Sequence, residues 1–155
     1  MHYEQRKKLL EKAQESANKG MKNVAGYYAK LATIHATKMQ EANERASRRI
    51  LDYKNNPMNA NQIDLHFLHV NEAIQATKEF LSERQKVLVA RGFPQTKVSI
   101  ITGRGAHSHR GHARLKPAIE NLLQTSGYKY SKPTSGSFEV VLKGYRECSN
   151  YNDRA

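Results

Sequence analysis

The sequence has only one cysteine, Cys148, and no apolar run approaching the roughly 20 residues that a membrane span needs. A single cysteine excludes an internal disulfide, and its polar surroundings give no sign of an activated thiol. The N-terminal segment MHYEQRKK lacks the apolar core of a secretory signal. We therefore expect a cytoplasmic protein with no membrane association.

Acidic residues are also scarce: 14 Asp and Glu face 26 Lys and Arg, which gives a formal net charge of +12. Between Lys97 and Lys132 the imbalance is strongest, with seven basic side chains and one acid, Glu120. Such an excess favours polyanionic partners, because binding them releases counterions. Nucleic acid is therefore the partner class that the composition favours.

The first third of the chain is predicted to form a helical hairpin. Apolar residues recur at helical spacing over residues 3–19 and again over residues 23–54, and Gly20 interrupts the pattern between them. The Asn-rich segment around Pro57 ends the second helix, because the residue before a proline is disfavoured in helical conformation. We therefore expect a hairpin over residues 1–56 and a linker over residues 57–61.

The remainder is predicted to be an α/β domain with the order βαβαββ over residues 62–143, followed by a tail over residues 144–155. The two crossovers should pair their strands in parallel, and the last two strands should form a hairpin, giving a two-layer sandwich with a four-stranded mixed sheet. The helices should cover one face of this sheet. The apolar second strand should be central and buried on both sides. The expected strands are residues 62–67, 97–102, 128–131 and 138–142, and the expected helices are residues 71–91 and a segment ending near Thr125.

Polar residues that could perform chemistry follow the first two strands. Asp64 and His66 alternate with apolar residues, so they should share one face of the first strand. Arg104 and His107 lie in a glycine-bearing loop directly after the second strand. Because ligands bind beyond the carboxyl ends of parallel strands, we expect these four side chains to converge at one edge of the sheet.

The loop also has the composition of a phosphate-binding segment. Its glycines let backbone N–H groups approach an anion, and the helix that follows would present its N-terminus there. His107, His109 and His112 have no cysteine or acid nearby to complete a zinc site, so we expect neither a metal nor a cofactor. The residues expected to bind nucleic acid here are Thr102, Gly103, Gly105, Ser108, Arg110, Arg114 and Lys116.

Two motifs in this order resemble the Smr (small MutS-related) domain. The first is Ile63-Asp64-Leu65-His66, and the second is the loop Thr102-Gly103-Arg104-Gly105 with His107-Ser108 and then Lys116-Pro117. The hairpin, with its segment EANERASRRI, resembles the helical domain of unknown function that often precedes Smr in eukaryotic proteins. The resemblance implies an endonuclease, and relatives in this arrangement act on mRNA beneath stalled or collided ribosomes in no-go decay.

Phe67 departs from the family pattern, which usually has a glycine after the histidine. An exposed aromatic ring at this position could stack on a nucleobase, whereas the alternative is ordinary core packing. We include Phe67 among the residues expected to bind nucleic acid.

Three functions remain open when the resemblance is combined with the residues. In the leading one, the domain cleaves single-stranded RNA without a metal, with histidine moving protons and Arg104 holding the phosphate. The second is a non-catalytic module that binds RNA or the ribosome, and the third is a DNA-nicking endonuclease. Asp64 and His66 could also be a purely structural pair at a strand end. We expect a monomer whose partners are mRNA and the ribosome, with DNA as a further possible substrate.

Overall fold

The structure, a computed structural model, describes residues 1–104 and 114–144. The chain divides into two compact units, Met1–Arg48 and Arg49–Ala155. In the parts described, no helix is both long and apolar enough to cross a membrane. The elements in chain order are α1 (His2–Asn18), α2 (Lys22–Lys54), β1 (Gln62–Asp64), α3 (Val70–Ala90), β2 (Gln95–Ile101), α4 (Leu115–Thr125), β3 (Lys129–Thr134) and β4 (Ser137–Lys143).

The first unit is the predicted helical hairpin. Gly20, at φ +74°, lets the chain reverse after α1, and its N–H donates to the Ala17 carbonyl. The helices run antiparallel: His2 and His35 bring their Nδ1 atoms to 3.0 Å, and the Lys12 ammonium lies over the Tyr28 ring. The helix α2 continues unbroken to Lys54, so its last residues, from Arg49 onwards, belong to the second unit.

The second unit is the predicted α/β domain with a four-stranded mixed sheet, in the order β1-β2-β4-β3. The strands β1 and β2 pair in parallel, as expected for a β-α-β crossover, and β3 and β4 form the expected antiparallel hairpin. The second expected parallel pair does not form. The strand β4 inserts beside β2, pairing with it antiparallel from Gln95↔Lys143 to Ile101↔Ser137, and so it separates β2 from β3. The expected pairing of β2 with β3 is therefore wrong.

The core lies on one face of this sheet, under α3 and α4. In β4 every second side chain, Phe138, Val140 and Leu142, is fully or almost fully buried, and the residues between them are only partly buried. The helix α3 packs against α4, β4 and β2. The expectation that β2 is buried on both sides is wrong: Val98 and Ile100 are buried, whereas Ile101 is only partly so, because the helices cover one face.

Two strands differ in length from the prediction. The strand β1 ends at Asp64 rather than at Phe67, because the backbone turns there and the His66 N–H donates to the Asp64 carboxylate. The strand β3 continues through Pro133 to Thr134, so the turn is shorter than expected. Proline is tolerated because β3 is an edge strand, and its register shifts between Ser131 and Thr134. The edge is also tied to α4: Lys132 and the Tyr130 hydroxyl hold the pKa of Glu120 below its usual value.

Candidate active site

The two candidate residues of the first motif contact each other directly. His66 Nδ1 lies 2.6 Å from Asp64 Oδ1, and the backbone N–H of His66 donates to the same oxygen at 2.9 Å. An ionised carboxylate can only accept hydrogen bonds, so the ring proton in this contact sits on Nδ1. Asp64 thereby fixes both the orientation and the tautomer of the imidazole. The Asp64 side chain is 19% exposed and that of His66 is 40% exposed, so the ring remains accessible to solvent.

The free ring nitrogen of His66 faces the glycine loop that follows β2. Gly103 adopts φ +75°, and a Cβ placed on it would lie 2.4 Å from His66 Nε2 and 2.6 Å from Cδ2. The imidazole therefore occupies the space that any side chain at position 103 would need. This contact joins the two motifs. A backbone hydrogen bond beside it does the same: the Leu65 N–H donates to the Ile101 carbonyl at 2.8 Å, where the segments after β1 and β2 leave the sheet.

A glycine that the sequence reasoning missed supports the loop from the other side. The Gly136 carbonyl accepts the N–H groups of Thr102 at 2.9 Å and Gly103 at 3.0 Å. A Cβ on Gly136 would lie 2.9 Å from the Gly103 carbonyl carbon and 3.1 Å from the Arg104 nitrogen. The β3–β4 turn thus packs backbone to backbone against the loop. In the sequence, the only sign of a special role for Gly136 was its position in a predicted turn.

Asn55 is a second residue that the sequence reasoning did not place in the site. Its Oδ1 accepts the Asp64 N–H at 2.7 Å, and its Nδ2 donates to the Asp64 carbonyl at 3.3 Å and to the Leu51 carbonyl at 2.8 Å. The strand β1 is an edge strand, so these backbone groups would otherwise have no partner strand. Asn55 therefore fixes the backbone of Asp64 to the end of α2.

Expected basic residues lie beside this centre and at the start of α4. Arg104 follows Gly103 and is exposed. Lys116, in the first turn of α4, donates to the Ser135 carbonyl at 2.8 Å, beside the turn that contacts the loop. Arg114 is exposed at the start of α4, whereas Thr102 is buried and its hydroxyl donates to the Gly136 carbonyl at 3.3 Å. Arg104, Arg114 and Lys116 can therefore supply positive charge, and Thr102 shapes the loop.

Phe67 lies next to the pair and is not part of the core. Its side chain is 69% exposed, and its backbone has φ +68°. For a residue with a bulky side chain this conformation costs roughly 1–2 kcal/mol relative to the right-handed region. The alternative of core packing, which the sequence left open, does not describe this ring.

Four of the expected site residues, Gly105, His107, Ser108 and Arg110, lie outside the described residues. Within residues 1–104 and 114–144, no three His, Cys, Asp or Glu side chains come together in a way that could hold a metal ion. The site as described thus consists of an aspartate-oriented histidine, a glycine loop and exposed cations.

Comparison with known proteins gives a family for both parts of the chain. Residues 63–139 match the Smr domain, and residues 1–55 match DUF1771, a domain of unknown function. Human NEDD4-binding protein 2 is 37% identical over 144 residues, and Saccharomyces cerevisiae Endonuclease NBR9 is 29% identical over 144 residues. These alignments each cover 92% of the chain but only 8% and 58% of the two relatives.

A solved structure carries the same fold. The solution structure of the B3BP Smr domain superimposes with a TM-score of 0.53 at 36% identity, covering 66% of this chain and 98% of that one. The chain therefore belongs to the Smr domain family, a nuclease-related family, and carries a DUF1771 domain before its Smr domain.

Proposed function

We propose that this chain is an endoribonuclease that cleaves single-stranded RNA by metal-independent attack of the RNA 2′-hydroxyl. The observation that supports this most is the hydrogen bond between Asp64 and His66, which leaves Nε2 of the ring free at the glycine loop. Histidine suits proton transfer near neutral pH, since its unperturbed pKa is roughly 6.5. The relative named as an endonuclease adds support from outside the chain.

The cleavage step needs only the groups of the RNA substrate and two proton-transfer residues. A base removes the 2′-hydroxyl proton, the O2′–P bond forms, the P–O5′ bond breaks, and an acid gives a proton to the departing 5′-oxygen. The products are a 2′,3′-cyclic phosphate and a 5′-hydroxyl. In the proposal, His66 Nε2 performs one of the two transfers while Asp64 orients the ring, and His107 performs the other.

Charge on the phosphate is the remaining requirement. Negative charge on the phosphorane-like transition state grows beyond that of the ground state, so preorganised donors lower the barrier. Arg104 presents a guanidinium that can bind two phosphate oxygens at once, and it lies next to the glycine that contacts His66. Backbone N–H groups of the loop would add further donors.

The biological setting in the proposal is mRNA on stalled or collided ribosomes in no-go decay, in the cytoplasm. The net charge of +12 supports a polyanionic partner such as mRNA or the ribosome. The stalled ribosome, no-go decay and the cytoplasm are proposed from the resemblance to the Smr family.

The full chain should be incubated with labelled single-stranded RNA, with DNA of the same sequence and with supercoiled plasmid, each once with added Mg²⁺ and once in excess chelator. We expect cleavage of the RNA alone. Nicking of the plasmid would instead support a DNA endonuclease. Binding of RNA without any cleavage would support a non-catalytic module, and cleavage that stops in chelator would overturn the metal-independent mechanism.

A further inference from the structure

Phe67 combines two features that are unfavourable unless the ring has a use. In the described part of the chain it is the one residue other than glycine with a positive φ. Its ring is also more exposed than those of the other phenylalanines: Phe138 is fully buried, Phe80 packs against the core, and Phe93 is 55% exposed. Strained conformations of this kind concentrate at functional sites, where the surrounding structure maintains them. Neither packing nor backbone geometry therefore accounts for an aromatic residue here.

The surroundings of the ring indicate what it could bind. Its centroid lies 6.1 Å from that of the His66 imidazole, so it adjoins the side chain that we place in proton transfer. The ammonium of Lys54, the last residue of α2, lies over the ring at 5.2 Å from its centroid. A flat apolar face and a cation at one point are the two features with which proteins hold single-stranded nucleic acid: the face stacks on a base, and the cation binds the backbone.

We propose that Phe67 and Lys54 form a subsite for one unpaired nucleobase of the RNA, adjacent to the phosphate that is cleaved. This rests on the proposed function for the identity of the substrate. A base in a duplex is already stacked between its neighbours, so the subsite selects single-stranded RNA. Purines, which present a larger stacking face than pyrimidines, bind it more tightly.

The chain contains no tryptophan, so the variant Phe67→Trp carries a single indole that reports directly on stacking. It should be titrated with fully 2′-O-methylated RNA, which cannot be cleaved through its 2′-oxygen. We expect the single-stranded oligonucleotide to quench the indole, more strongly with adenine than with uracil, and the matching duplex to leave it unquenched. Phe93→Trp is the control, because Phe93 is also exposed but lies after α3, away from the site.

Affinity gives a second, independent readout. Phe67→Gly removes the ring and suits the positive φ, so this variant should fold as well as the natural chain does. We expect it to bind single-stranded RNA on the order of tenfold more weakly, because stacking on an aromatic ring contributes roughly that much per base. Lys54→Ala should also weaken binding, with a smaller salt dependence.

The outcomes separate this inference from the proposed function. Equal quenching by single-stranded and duplex RNA, or unchanged affinity in Phe67→Gly, overturns the subsite whether or not the chain cleaves RNA. Selective quenching in a chain that cleaves nothing supports the subsite and rejects the nuclease. Selective quenching in a chain that cleaves RNA supports both.

Discussion

The His66 imidazole occupies the space directly above the Cα of Gly103, where a Cβ would lie 2.4 Å from Nε2. This contact makes one site of two sequence motifs about 40 residues apart, since it fixes the orienting carboxylate, the histidine and the glycine loop relative to one another. The nitrogen that faces the loop is the one left free by the bond from Nδ1 to Asp64. Proton transfer and phosphate binding would therefore meet at this point.

Replacing Gly103 with alanine should damage the site beyond its effect on the backbone. The new methyl group would displace the imidazole, and a displacement of about 1 Å can cost on the order of a hundredfold in rate. Gly127→Ala is the matched control, because Gly127 has φ +72° but a Cβ there would have no other atom within 4 Å. We expect similar losses of thermal stability in both variants but a large loss of RNA cleavage only in Gly103→Ala. Equal activities would show that the histidine position does not matter.

Asp64→Asn tests the orienting carboxylate. The amide has nearly the same shape but cannot hold an Nδ1–H proton as strongly, so cleavage should fall roughly 10²–10⁴-fold. RNA affinity should change little, because the substitution removes a negative charge and adds no repulsion of phosphate. Single-turnover rates and filter binding measure the two effects separately. A variant that cleaves at the original rate would leave Asp64 without a role in the chemistry.

Asn55→Ala tests whether the support of Asp64 is needed for activity. The variant loses the side-chain bonds to both backbone groups of Asp64, each of which contributes about 0.5–1.5 kcal/mol to stability. We expect a lower kcat with little change in KM, because Asn55 holds the strand end that carries Asp64, the proposed orienting residue, and is not proposed to contact RNA. Asn59→Ala, an exposed position in the same segment, is the control. A change confined to KM would contradict this positioning role.

Arg104→Ala should reduce both cleavage and binding, because one guanidinium serves both. We expect the slope of log affinity against log salt to decrease by about 0.7, the value for one contact to a single-stranded phosphate. Arg91→Ala removes an equal charge at the opposite end of α3, a 21-residue helix about 30 Å long. An equal loss in both variants would indicate a general effect of charge rather than a phosphate contact at the loop.

The parts of the fold that local patterns encode were predictable. Helical periodicity gave α1, α2 and α3 to within a residue or so at each end, and the alternation around Phe138 gave β4. The order of the strands was not predictable in full, because the insertion of β4 between β2 and β3 depends on pairing between residues far apart in sequence. The crossover rules predicted correctly only the parallel pairing of β1 with β2.

The candidate site was likewise predictable only where local sequence patterns encode it. Asp64 and His66 were expected together from their spacing, although a turn after β1, rather than a continuing strand, brings them into contact. Asn55 and Gly136 were missed because their roles consist of contacts to positions 9 and 34 residues away, which no local pattern signals. Phe67 is exposed and has a positive φ, a backbone conformation that its residue type does not favour and that no local pattern signals.

The most direct measurement of the central claim is cleavage of an RNA that carries a single 2′-deoxy nucleotide at the mapped cut site, in excess chelator. We predict that this one substitution abolishes cleavage there, and that the unmodified RNA yields a 2′,3′-cyclic phosphate and a 5′-hydroxyl, because the nucleophile is the 2′-oxygen of the substrate. Continued cleavage of the deoxy substrate at the same phosphodiester would contradict the account, and a 5′-phosphate product would show that the P–O3′ bond had broken instead of P–O5′.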